Sequence, residues 1–184
     1  MKNNKIIALL VLALMSFSSG ALAATKQKST EASANLQSIL SGSTRNDDNK
    51  ARDQYRHPYQ TLNFFGVKPS DTVVELWPGS GWYSEILAPY LAAKGKLIVA
   101  PPPGVYTERY QKMATERASV FSKVAMVNFP ALLGGVKAMD GSADVVLTFR
   151  NAHNWRLGSF SPNNQDYSAA AFREIFAMLK PGGV

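Results

Sequence analysis

The stretch from Thr72 to Tyr83 constrains this chain more than any other. Thr72-Val73-Val74-Glu75-Leu76 is a short apolar run interrupted by one acid, and Pro78-Gly79-Ser80-Gly81 follows at once. The run reads as a short strand, whose neighbouring side chains point to opposite sides, leading straight into the glycine turn. The glycines accept backbone conformations that side chains resist, so the chain turns tightly there and lets another molecule approach its amides. Trp82 to Ala92 then reads as a helix, with Ile86, Leu87, Tyr90 and Leu91 facing inward and Pro89 as an expected kink.

Further units of the same kind follow. Lys96-Leu97-Ile98-Val99-Ala100 reads as a second strand, stopped by Pro101-Pro102-Pro103. Thr107 to Ala118 reads as a helix on which Tyr106, Tyr110 and Met113 share a face and Glu108 pairs with Lys112. Lys123 to Phe129 and Asp144 to Phe149 are the third and fourth strands, and Phe172, Ile175, Phe176 and Leu179 define the last helix. Strands alternating with helices imply an α/β fold, a Rossmann-like doubly wound parallel sheet whose ligands bind where the strands end. Leu179-Lys180-Pro181-Gly182-Gly183 reads as a helix end and turn before Val184 opens another strand. The expectation is therefore a sheet truncated after its fourth strand and that strand's helix.

The regions before this domain differ in composition. Lys2 and Lys5 precede an apolar run from Ile6 to Met15, and Ala21-Leu22-Ala23 supplies a small-residue end, the three parts of a secretory signal. The run is too short to cross a bilayer, which needs about twenty apolar residues. Residues 1–23 are thus expected to be cleaved after Ala23, leaving a periplasmic or secreted protein without stable membrane insertion. Residues 24–50, rich in Ser, Thr, Asn, Lys and Ala, read as a flexible tether with one short helix and one weakly apolar patch from Leu36 to Leu40. The α/β domain spans 51–184. It opens with Arg52-Asp53-Gln54-Tyr55-Arg56-His57-Pro58 and a helix carrying Tyr59, Leu62 and Phe65 that ends at Gly66. The absence of cysteine excludes disulfides, iron–sulfur clusters and thiolate zinc, and with only His57 and His153 no metal centre is expected. The formal charge of +7 is spread out with no block of like charges, which argues against nucleic acid as a partner.

Two clusters carry chemistry. Glu75 ends the first strand beside the glycine turn, and the helix beyond begins with unpaired amides and partial positive charge. Together they suit a small ligand bearing both an ammonium and a carboxylate. Trp82 and Tyr83 either stack on such a ligand or pack the core. The second cluster, Arg150-Asn151-Ala152-His153-Asn154-Trp155, follows the fourth strand, so the topology sets it beside the glycine turn. There His153 is either a base for an acceptor hydroxyl or amine, or a residue that hydrogen-bonds its own loop. Arg52, Asp53 and Arg56 form a lid, an anion site or an ordinary salt bridge, and His57 before Pro58 is read as structural.

Glu75, Gly79 and Gly81 together with Asp144 to Phe149 and Leu179-Lys180-Pro181-Gly182-Gly183 resemble the class I S-adenosylmethionine-dependent methyltransferases. The resemblance runs from about Arg52 to Val184 and covers the first part of that family's domain. With Trp77-Pro78-Gly79-Ser80-Gly81-Trp82-Tyr83 and Asn151 to Trp155, it is similar to an exported subgroup of methyltransferases. It implies S-adenosylmethionine as cofactor, with the loop Gly79, Ser80 and Gly81 holding its methionyl portion and Glu75 near its amino group. The reading of the residues adds Trp82 and Tyr83 to the cofactor site and His153 as the catalytic residue toward an unidentified acceptor. Trp77 stands where the family usually has glycine, and the second strand ends without the acid that usually takes the ribose hydroxyls. An inactive periplasmic binding module of the same fold and a nicotinamide-dependent oxidoreductase remain as alternatives.

Overall fold

The computed structural model describes residues 24, 27, 31–32, 35–135 and 137–184, so the leader expected over 1–23 lies outside the described residues. Strands β1 (Thr72–Leu76), β2 (Lys96–Ala100), β3 (Ala125–Met126) and β4 (Val145–Thr148) form one parallel sheet in the order β3-β2-β1-β4. β1 is flanked on both sides, with Val74 opposite Ile98 of β2 and Val146 of β4. That placement explains its valine content. The third strand is shorter than its apolar run, yet the Val127 and Phe129 amides still donate to the Val99 and Pro101 carbonyls before Pro130 removes the next donor.

The helices are α1 (Asp47–Lys50), α2 (Asp53–Arg56), α3 (Pro58–Phe64), α4 (Ser84–Leu91), α5 (Val105–Glu116), α6 (Ala118–Phe121), α7 (Ala152–Arg156) and α8 (Ser168–Met178). Val73, Leu97, Val99, Val145 and Leu147 point to one face of the sheet, where Leu62, Ile86, Leu87, Tyr110 and Phe121 cover them. Val74, Leu76, Ile98 and Ala100 point to the other, under Phe129, Trp155, Ala171 and Met178. Helices on both faces make the sheet doubly wound.

Several local expectations change. The short helix expected in the N-terminal stretch spans residues 35–41, but its Leu36 is fully buried in the first core, and Ile39 and Leu40 pack against it. From residue 35 on, then, the stretch expected to be a tether is docked on the domain. Its weak apolar patch is enough because a buried charge network reinforces it. Arg45, shielded from solvent, grips Asp53 through both terminal nitrogens at 2.5 and 2.8 Å and donates to the Leu40 carbonyl at 3.1 Å. Its Nε lies 3.3 Å from the buried Glu85, an ion pair without hydrogen-bond alignment, and Arg117 closes on Glu85 from α5's end at 3.1 Å. Lys112 reaches Glu116 at 4.0 Å, in place of the expected pairing with Glu108. On α8 the buried positions are Ala171 and Met178, while Phe172 and Phe176 face outward. Val184 lies along β4, donating to the Asp144 carbonyl and accepting from the Val146 amide.

Candidate functional site

The turn after β1 packs three left-handed residues into five positions: Trp77 (φ 52°), Gly79 (φ 59°) and Gly81 (φ 80°). For a residue with a Cβ this conformation costs about 1–2 kcal/mol, which is why glycine is usual there. Trp77 is held in it by its surroundings. Its amide donates to the Ala100 carbonyl and its indole to the Phe129 carbonyl, both at 2.9 Å. The two glycines differ. A Cβ on Gly81 would stand 3.0 Å from Met113 Cε, whereas one on Gly79 would project into open space. Gly79 and Ser80 are exposed, and their amides donate to no group of the described residues.

Glu75 shares its face of β1 with Val73, so its side chain runs beneath the turn toward α4 and α5. It is 2% exposed, and the Ser84 hydroxyl donates to it at 2.5 Å. Burial pushes its carboxyl up to about 7, an effect the Ser84 hydrogen bond partly offsets. The Tyr110 hydroxyl is buried near Ser84 without a hydrogen-bond alignment and is itself pushed upward by burial. The acid that the sequence sets on the open flank of the turn is therefore enclosed below it, because α4 and α5 close over that face.

Trp82 and Tyr83 also depart from the ligand-stacking expectation. Trp82 is buried, donates its indole N–H to the Asn49 carbonyl at 2.9 Å, and carries the Arg56 guanidinium 4.7 Å above its ring. Tyr83 stacks on Phe149 with ring centres 3.7 Å apart. Both rings are engaged in packing, the core option among the two that the sequence allowed.

The loop after β4 does lie beside the turn. Asn151 donates to the Leu76 carbonyl at 3.4 Å and to Thr148 Oγ1 at 3.1 Å, Trp155 is fully buried, and His153 stands exposed on α7. His57, with φ 45°, is exposed and separates α2 from α3. Sequence reasoning missed Phe160, which makes edge-to-face contacts with Trp77 at 5.2 Å and Tyr106 at 5.1 Å. These three rings bridge the sheet edge from the glycine turn to the start of α5. Nothing in the polar, aperiodic segment around Phe160 signals such a contact. At the end of β2, Ala100, Pro101 and Pro102 are buried and offer no carboxylate. Of two further cavities, one of about 310 Å³ lies among Val99, Tyr110, Phe121 and Met126. The other, of about 680 Å³, lies among Asn35, Lys68, Tyr90 and Lys94, and the glycine turn lines neither.

No family model and no curated protein matches the chain. Solved structures do. A Methanococcus maripaludis protein assigned as an S-adenosylmethionine-dependent methyltransferase matches with 22% identity and a TM-score of 0.50, over 69% of this chain and 51% of its own. A methyltransferase from Aquifex aeolicus matches with 17% identity and a TM-score of 0.52, over 71% and 62%. The fold is that of the class I methyltransferases. The [4+2]-cyclase SpnF matches as well, with 17% identity and a TM-score of 0.51, over 70% of this chain and 42% of its own. A fold shared between methyl transfer and cyclisation does not by itself fix the reaction. The chain spans between about two-fifths and three-fifths of the length of these structures.

Proposed function

We propose that this chain carries the cofactor-binding part of an exported S-adenosylmethionine-dependent methyltransferase acting on an unidentified acceptor. The observation that carries the reading is the glycine turn at the ligand edge of a class I methyltransferase sheet, with two exposed amides unused by the described protein. Those amides and the open space beside Gly79 fit the carboxylate end of the cofactor. When bound, S-adenosylmethionine supplies an activated methyl group. Gly79 and Ser80 would hold its carboxylate and Gly81 would keep the turn tight. Glu75 is the acid that the resemblance sets against its ammonium, and burial below the turn pushes its carboxyl up to about 7. His153, exposed on the neighbouring loop, is the candidate to take a proton from the acceptor. The ribose hydroxyls find no acid at the end of β2, where the Ala100, Pro101 and Pro102 carbonyls already accept from the Trp77 amide, the Phe129 amide and the Thr107 hydroxyl.

A second reading, an inactive binding module of the same fold, is favoured by the enclosed Glu75 and by the Trp77–Phe160–Tyr106 bridge over the edge. Calorimetry with S-adenosylhomocysteine separates the two. Binding to the parent protein, lost in Gly79→Ala while the fold persists, supports the methyltransferase. A well-folded parent protein that takes up neither S-adenosylhomocysteine nor S-adenosylmethionine supports the binding module. Alanine suits the test because its methyl group enters only empty space and its left-handed backbone costs about 1–2 kcal/mol.

A further inference from the structure

Three arginines stand on segments that meet beside the glycine turn, and the methyl-transfer reading makes no use of them. Arg52 precedes α2, Arg56 ends it, and Arg150 follows β4. The path linking them is continuous: Arg56 lies 4.7 Å over the Trp82 ring, Trp82 contacts Tyr83 edge-to-face at 4.6 Å, and Tyr83 stacks on Phe149, the residue before Arg150. The acid within this group is already engaged, since Asp53 is gripped by the buried Arg45. Among the described residues no carboxylate lies within ion-pair distance of Arg52, Arg56 or Arg150. The backbone is also strained here, with Arg150 at φ 61° and His57 at φ 45°, conformations that persist where the surroundings enforce them. Arg56 is held below its ordinary value first by desolvation and then by repulsion from Arg52 and Arg150. Like charges kept together without a counter-charge are relieved by an incoming anion.

We infer that Arg52, Arg56 and Arg150 form an anion subsite beside the glycine turn, and that the methyl acceptor presents a carboxylate or phosphate group to it. Arg150 and His153 both lie on the segment that follows β4, three residues apart, so an anion held by Arg150 would bring a small acceptor to this end of the sheet. Guanidinium groups suit either anion because their planar donors match two oxygens at once. The acceptor role rests on the methyltransferase reading, whereas the anion subsite stands without it.

The test is an NMR titration of the mature protein with inorganic phosphate and, separately, with acetate, alongside calorimetry with S-adenosylhomocysteine. The variants are Arg150→Gln, Arg52→Gln, Arg56→Lys and the pair Arg52→Gln with Arg150→Gln, with Arg173→Gln on α8 as the control. Binding of one of the two anions should weaken about threefold in each glutamine variant and about tenfold in the pair, as expected for solvent-accessible charge pairs. Arg173→Gln should leave it unchanged. A preference for phosphate over acetate, or the reverse, assigns the anion class. S-adenosylhomocysteine affinity should not change in any variant. The inference fails if the parent protein binds neither anion, if the glutamine variants bind as it does, or if anion and S-adenosylhomocysteine affinities fall together. In that last case the arginines serve the cofactor. Anion binding without S-adenosylhomocysteine binding upholds the subsite and removes the methyltransferase reading, and the reverse pattern removes the subsite alone.

Discussion

Glu75→Gln keeps the size and shape of a buried side chain and removes its titration. The carboxyl has an ordinary value of 4.5 and is pushed up to about 7 in the folded chain. Between those pH values the folded protein retains a proton that the unfolded chain has released. The contribution to stability is therefore complete below the unfolded value and is lost as pH rises through the folded one. At about 1.4 kcal/mol per pH unit, the parent protein should lose about 2.5 kcal/mol relative to the variant between pH 5 and pH 8. Glutamine still accepts the Ser84 hydroxyl, so the variant should be little changed near pH 5 and the more stable protein at pH 8. Urea unfolding of both proteins at the two pH values reads this directly, because the other titrating groups cancel in the difference. A difference that stays flat with pH, or a parent protein that gains on the variant as pH rises, would refute an uncharged Glu75 beneath the turn.

Other expectations concern the docked N-terminal stretch and the aromatic bridge. Leu36→Ala should cost about 3 kcal/mol in chemical unfolding, because a fully buried leucine is being removed. A change within about 0.5 kcal/mol, as at ordinary surface sites, would mean that residues 35–41 do not stabilise the domain. Arg45→Met should cost about 3 kcal/mol, the low end for breaking a buried ion pair because Arg117 still faces Glu85, and adding Glu85→Gln should recover part of that loss. Gly158→Ala should displace Phe160. The new Cβ would run into the Asn164 carbonyl group and Gly158 has φ 66°, so near-ultraviolet circular dichroism should lose aromatic signal while the far-ultraviolet spectrum holds.

β1, β2 and β4 were legible because each is a short valine- or leucine-rich run bounded by turn residues, and parallel strands covered on both faces leave no other use for such runs. α4 was equally plain from Ile86, Leu87, Tyr90 and Leu91, all buried. Two further readings needed information that one segment does not carry. The docking of residues 35–50 depends on Arg45 meeting Asp53 and Glu85, acids from two other helices. The enclosure of Glu75 depends on which way one strand's face is covered, and alternation along β1 gives the face but not the depth of its covering. The glycine turn and the nearness of the Asn151 loop could be read from topology. The aromatic bridge could not, because Phe160 sits in a segment with no periodicity and its partners come from β1's turn and from α5.

Of the three tryptophans in the chain, Trp82 and Trp155 are sealed in the two cores, and Trp77 alone is half-buried. The protein thus carries an optical gauge at the one place where it matters. Light emitted by Trp82 and Trp155 reports whether the cores are intact, and the component that responds to soluble quenchers belongs to Trp77. A molecule settling on the sheet edge and parting Phe160 from that indole would register as a change in this component alone, with no label attached.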